Sequence, residues 1–101
     1  MILLTKELRE QFPQLYATEE VPTDNKVVIA KFFTPWSNWT WYATEFDGQD
    51  LFFGLVDGHE KEWGYFSLKE LQSVKGPAGL KVERDLYFGQ PKIKDITILN
   101  N

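Results

Sequence analysis

Residues 39–66, WTWYATEFDGQDLFFGLVDGHEKEWGYF, hold three apolar runs separated by two turn signals. In Trp39–Phe46 the residues alternate, Trp39, Trp41 and Ala43 against Thr40, Tyr42 and Thr44, which is the period of a strand. Asp47-Gly48 suits a hairpin connection. Leu51–Val56 is the next run, Asp57-Gly58-His59-Glu60 the next turn, and Trp63–Phe66 the last run. Three strands joined by tight turns make an antiparallel meander.

The flanks extend it. Upstream, Lys26–Phe33 is rich in β-branched and aromatic residues and reads as another strand, entered through the turn at Thr23-Asp24-Asn25 and left through Pro35–Asn38. Farther upstream, Thr5 caps a short helix that carries Leu8 and Phe12 and is stopped by Pro13. Downstream, Ser67-Leu68-Lys69-Glu70 forms a capping box, and the helix it opens ends at Gly76-Pro77. Leu80–Phe88 reads as a last strand, followed by a tail through Ile93–Leu99. The pattern predicts one α+β domain over residues 1–101, with the tail 89–101 the least determined part. About five antiparallel strands and two short helices are expected, the sheet strongly curled or barrel-like.

At 101 residues the chain has the size of one domain. It has no cysteine, which excludes disulfides, thiolate metal sites and cysteine nucleophiles. MILLTKELRE lacks the basic start and long apolar run of a secretory signal, and the longest apolar runs, Val27–Ala30 and Leu51–Val56, are far short of a membrane span. A cytoplasmic setting without a membrane partner is the expectation. The formal charge of −4 argues against sequence-independent binding to duplex DNA. Acidic residues crowd 45–62, where Glu45, Asp47, Asp50, Asp57, Glu60 and Glu62 face Lys61 alone. Such a stretch is either a set of solvated turns or a rim that steers a basic partner.

Apolar side chains fall on both sides of the expected sheet. Val27, Ile29 and Phe33 alternate with Val28, Ala30 and Phe32, and Leu51, Phe53 and Leu55 with Phe52 and Val56. Leu4, Leu8, Phe12 and Leu15 with Leu68, Leu71 and Val74 suffice for about one face. The other needs the curl of the sheet, the tail through Ile93, Ile96 and Ile98, a partner or a ligand. This bears on FFTPWSNWTWY, residues 32–42, which holds three of the four tryptophans. Its rings are either core or a partly open aromatic surface of the kind that marks interaction sites. In the second case the candidate binding residues are Trp36, Asn38, Trp39, Trp41, Asp57, His59, Glu60, Glu62, Trp63 and Arg84.

Catalytic signals are sparse. His59 is the only histidine, so HEKEW cannot be a zinc-hydrolase helix. Asp57, Glu60 and Glu62 do not follow a calcium-loop pattern, although His59 beside a carboxylate could form an acid–base pair. No glycine-rich phosphate loop occurs, and Gly76-Pro77-Ala78-Gly79 follows a helix instead of opening one. No catalytic residue, metal or cofactor is expected. Single strands could stack on the rings, with Lys31, Lys61, Lys81 and Arg84 along the backbone, but a basic stripe is missing. Arg84 shares the face of Val82 and Leu86, and a carboxylate partner, Glu45 or Glu62, is expected for it.

The runs FFTPWSNWTWYATE, LFFGLVDGHEKEWGYFSLKEL and ERDLYF resemble a family of small proteins of bacteria, phages, plasmids and integrative elements that carries a domain-of-unknown-function label. The resemblance implies a mobile-element setting and brings no catalytic residues. The expected function is a non-catalytic interaction module whose aromatic surface and acidic rim bind a protein, a nucleic-acid enzyme being one candidate. Single-stranded nucleic-acid binding is the alternative, and a small hydrolase or metal site around His59 the third.

Overall fold

A computed structural model describes residues 1–99. Helix α1 (Lys6–Arg9) is capped by Thr5, whose hydroxyl accepts the Leu8 N–H at 3.2 Å. Five strands follow: β1 (Ala30–Phe33), β2 (Thr40–Phe46), β3 (Leu51–Asp57), β4 (Lys61–Ser67) and, after helix α2 (Leu68–Ser73), β5 (Glu83–Arg84). They form one antiparallel sheet in the order β4-β3-β2-β1-β5. The sheet is open and does not close into the barrel-like form expected; β4 and β5 are its two edges.

The hairpin between β2 and β3 is made by Asp47. Its carboxylate accepts the N–H groups of Gln49, Asp50 and Leu51 at 2.8–3.0 Å, and Gly48 takes the positive φ of 89° that the turn needs. These bonds hold the Asp47 carboxyl below its ordinary pKa, the Gln49 N–H most strongly. At the head of α2 the Ser67 hydroxyl accepts the Glu70 N–H, as the capping box requires, and donates to Asp50 at 2.6 Å. Asp50 also accepts the Lys69 N–H at 2.8 Å, so a turn residue of one hairpin anchors the helix that leaves the next.

Each face has its own lid. On the first, Phe52 lies between Phe46 at 4.4 Å and Phe32 and Phe66 at 5.4 and 5.3 Å. Leu3, Leu4, Leu8, Phe12, Leu68, Leu71 and Val82 close over this ring cluster. On the second, Val28, Tyr42 and Leu55 are covered by Ile93 and Ile96 of the tail, with Trp63, Phe88 and Leu99 at the margin. Val28 N–H donates to the Pro91 carbonyl at 2.9 Å and Ile93 N–H to Lys26 at 3.0 Å, so the tail is pinned by main-chain bonds. Ile98, also expected in the cover, is exposed, and Asn100 and Asn101 lie outside the described residues.

Two strands are shorter than expected, and a third carries a bulge. The first strand begins at Ala30, not Lys26, because residues 26–29 bond to the tail and to Ala43. The last strand shrinks from Leu80–Phe88 to Glu83–Arg84; Asp85 turns the chain by accepting the Tyr87 N–H at 3.0 Å. In β2 a bulge between Ala43 and Glu45 makes Thr44 the extra residue. It places Phe46 on the first face opposite Phe52, and Glu45 on the second opposite Phe53. There Glu45 is buried and accepts the N–H groups of Tyr16 and Thr18 at 2.8 and 3.1 Å, fixing the 16–18 loop, where Tyr16 holds a φ of 70°.

Candidate functional site

The chain between β1 and β2 turns back through Thr34–Trp39, with Thr34 N–H donating to Trp39 at 3.1 Å. It carries Trp36 and Trp39 between β1 and β2, and Trp41 follows near the start of β2, packed against the first-face cluster. Each of the outer indoles rests on a glycine. A Cβ on Gly58 would lie 2.3 Å from the Trp39 ring, and one on Gly76 2.4 Å from the Trp36 ring. Neither ring could seat so closely on any other residue. Trp39 stacks on Trp41 with centroids 5.9 Å apart and planes at 28°, and His59 meets Trp39 edge-on at 5.5 Å. All three indoles are half-buried, neither sealed in the core nor free.

The result is an aromatic shelf. A groove of about 310 Å³ runs beside it, lined by Trp39, Val56, His59, Glu60 and Glu62. Glu60 and Glu62 are exposed. Lys61, the one cation of this turn, points to the opposite face and donates to the Leu99 carbonyl at 3.2 Å. The rim of the groove is therefore acidic, and among the described residues no lysine or arginine lines it.

The candidate residues do not all meet. Trp39, Trp41, His59, Glu60 and Glu62 come together, Trp36 packs on Gly76, and Asn38 is exposed in the turn between β1 and β2. Trp63 and Asp57 lie on the second face: Trp63 stands opposite Leu55 and stacks on Phe53 at 5.7 Å, and Asp57 is near enough to Tyr42 to add to the rise that burial causes in its pKa. Arg84 sits near the other edge of the sheet. Its guanidinium donates to the carbonyls of Ile2 and Leu3 at 2.9 and 2.5 Å, and neither Glu45 nor Glu62 is its partner. It ties the N-terminus to β5 and takes no part in the shelf. The acidic stretch also disperses, since Glu45 is buried and Asp47 and Asp50 build turns, which leaves Glu60 and Glu62 as the rim.

Val56 and Gly58 complete the shelf and were not among the candidate residues read from the sequence. Parity would have found Val56. A hairpin centred on His59 places Val56 opposite Glu62 and Leu55 opposite Trp63, so Trp63 cannot share a face with Trp41 and Val56. Nothing local marks Gly76, whose ring contact spans forty residues.

A larger cleft of about 550 Å³ lies between α1 and residues 84–90. Two of its polar side chains are engaged within the fold, Arg84 by the N-terminal carbonyls and Gln90 by Gln11. Among the described residues, no three His, Cys, Asp or Glu side chains converge as a metal site would require, and no helix is long and apolar enough to cross a membrane. Comparison with curated proteins and with solved structures gave no match. A family model described as a protein of unknown function, DUF2958, matches residues 3–95, and the chain belongs to that family.

Proposed function

We propose that this protein is a non-catalytic interaction module that binds a protein partner at the Trp39–Trp41 shelf. One observation carries the reading: stacked, half-buried indoles border a groove lined by Glu60 and Glu62, while Lys61 between them turns to the opposite face. Such a surface suits a lysine or arginine flanked by apolar residues. The cation lies over an indole face, which contributes about 0.5–2 kcal/mol, while a carboxylate neutralises it. Tryptophan anchors in partly desolvated grooves dominate many interfaces. Phosphates would meet the two carboxylates, so the rim disfavours the single-stranded nucleic acid that stacking alone would allow. The setting we infer is the bacterial cytoplasm, with the protein an accessory of a mobile element; the resemblance of its motifs supports that setting. A nucleic-acid enzyme of host or element, rich in basic surface, fits as the partner.

Panning a random peptide library on the immobilised chain tests this. Binders should be enriched in lysine or arginine beside an apolar residue. They should lose about tenfold or more in affinity with Trp39→Ala, and less with Glu62→Gln. Binders indifferent to both changes would overturn the reading. So would salt-sensitive quenching of tryptophan fluorescence by a single-stranded oligonucleotide, which the acidic rim should prevent.

A further inference from the structure

We infer that β4 is a self-pairing edge: two copies of this chain join antiparallel through Lys61–Ser67, about a two-fold axis at Gly64, to make one continuous sheet. The parity of the β3–β4 ladder shows which groups face outward. Leu68 N–H donates to the Asp50 carbonyl at 2.8 Å, and Gly58 N–H to Glu60 at 3.1 Å at the other end. Hydrogen-bonded and open pairs alternate along an antiparallel ladder. Given the register, Glu62, Gly64 and Phe66 therefore exchange bonds with β3, and Lys61, Trp63 and Tyr65 aim their N–H and C=O groups away from the sheet. Among the described residues no main-chain bond reaches these outward groups.

An open strand of seven residues ordinarily carries guards such as proline, a bulge, or charges along its length. Here there is no proline or bulge, and both charges, Lys61 and Glu62, sit at the turn end. The opposite edge, β5, is only two residues long.

The occupant follows from self-complementarity. With Gly64 opposite itself, Trp63 stands opposite Tyr65 of the second copy in a hydrogen-bonded pair, and Tyr65 opposite its Trp63. Those two pairs give about four main-chain hydrogen bonds. Gly64 then forms the close, unbonded central pair, where a bare Cα on each side lets the backbones approach; its surroundings are open. Lys61 falls opposite Ser67 and Glu62 opposite Phe66, so no like charges meet. On the second face, Phe53 contacts Trp63 at 5.7 Å and Tyr65 at 5.2 Å. Pairing continues that row of rings across the axis, where half-exposed Tyr65 gains an indole neighbour. The shelf lies on the first face, and Glu62, which lines its groove, falls opposite Phe66 of the second copy.

Sedimentation equilibrium of the full chain, with hydrogen exchange at low and high concentration, tests this. The expected result is a doubled mass as concentration rises, together with about tenfold or greater slowing of the Trp63 and Tyr65 amides. The Glu62, Gly64 and Phe66 amides should be protected at every concentration. Tyr65→Pro, which removes an outward N–H and none of the bonds to β3, should give a folded monomer. Tyr65→Lys should do the same by placing charge on the edge. A chain that stays monomeric at about 1 mM overturns the proposal. A dimer whose Trp63 and Tyr65 amides still exchange freely also overturns it, because another surface then makes the contact. Neither result involves peptide binding at the shelf, so the two readings fail separately.

Discussion

A methyl group added at Gly58 would sit 2.3 Å from the Trp39 ring, well inside contact distance. The ring cannot absorb this by sliding, since Trp41 stacks on it at 5.9 Å and His59 meets it at 5.5 Å. Gly58→Ala should therefore tilt Trp39 off the shelf. Overpacking of this kind costs about 1–3 kcal/mol, a loss the domain can survive. The expected outcome is a folded protein whose near-ultraviolet circular dichroism loses the signal of the coupled indoles. Peptide binding should fall with it. An unchanged spectrum would mean that the backbone yields and that the glycine is not what seats the ring. Gly76 under Trp36 plays the same part, but the link differs in range: Gly58 belongs to the neighbouring hairpin, whereas Gly76 ties the turn to the end of α2.

At the scale of elements, what could be read in advance was what short-range chemistry controls. The Thr5 and Ser67 caps, the Asp47-Gly48 hairpin and the meander strands β2, β3 and β4 each rest on residues within a few positions of one another. The bulge at Thr44 does not. It arises because Phe46 must meet Phe52 while Glu45 meets the 16–18 backbone, and both demands come from distant chain. Arg84 was misread for the same reason, its acceptors lying more than eighty residues away. Of the candidate site, the tryptophan cluster and His59-Glu60 were legible, but the faces of Trp63 and Asp57 required hairpin parity. Asp50 shows how local and distant roles combine: it follows the Asp47 turn and holds the start of α2. The Ser67 hydroxyl, then the Lys69 N–H, lowers its pKa in the folded chain. A depressed carboxyl stabilises the fold above its unfolded pKa of about 3.9, and that contribution is lost as pH falls through the lower folded value. Asp47 behaves alike. Asp50→Asn should therefore lower stability at neutral pH and make its decline in acid shallower. Urea unfolding at a series of pH values measures both, and an unaltered acid slope would mean that Asp50 does not couple to folding.

For the whole molecule the question is how an open sheet with two oily faces stays folded alone. The first face is closed by chain from both ends of the sequence, with Leu3, Leu4 and Phe12 meeting Leu68, Leu71 and Val82. The second depends on the tail, where Ile93 and Ile96 are 6% and 8% exposed over Val28, Tyr42 and Leu55. Truncating a buried isoleucine to alanine costs about 2–5 kcal/mol. Removing both should take a large share of the roughly 5–15 kcal/mol that holds a domain of this size. Because both side chains bear on one lid, the loss should appear first as detachment of the tail. In the Ile93→Ala, Ile96→Ala double variant, the Val28 and Ile93 amides, which bond across the tail, should lose protection together. The Glu62 and Phe66 amides, bonded inside the sheet, should keep theirs until global unfolding. Tryptophan emission should shift to the red as Trp63 loses its cover. If all these amides lose protection in step, the tail is a cooperative part of the single core, and the second face has no existence apart from it. If the tail alone opens, Tyr42, Leu55 and Trp63 become a second apolar surface, and the variant should associate through them at concentrations where the native chain does not.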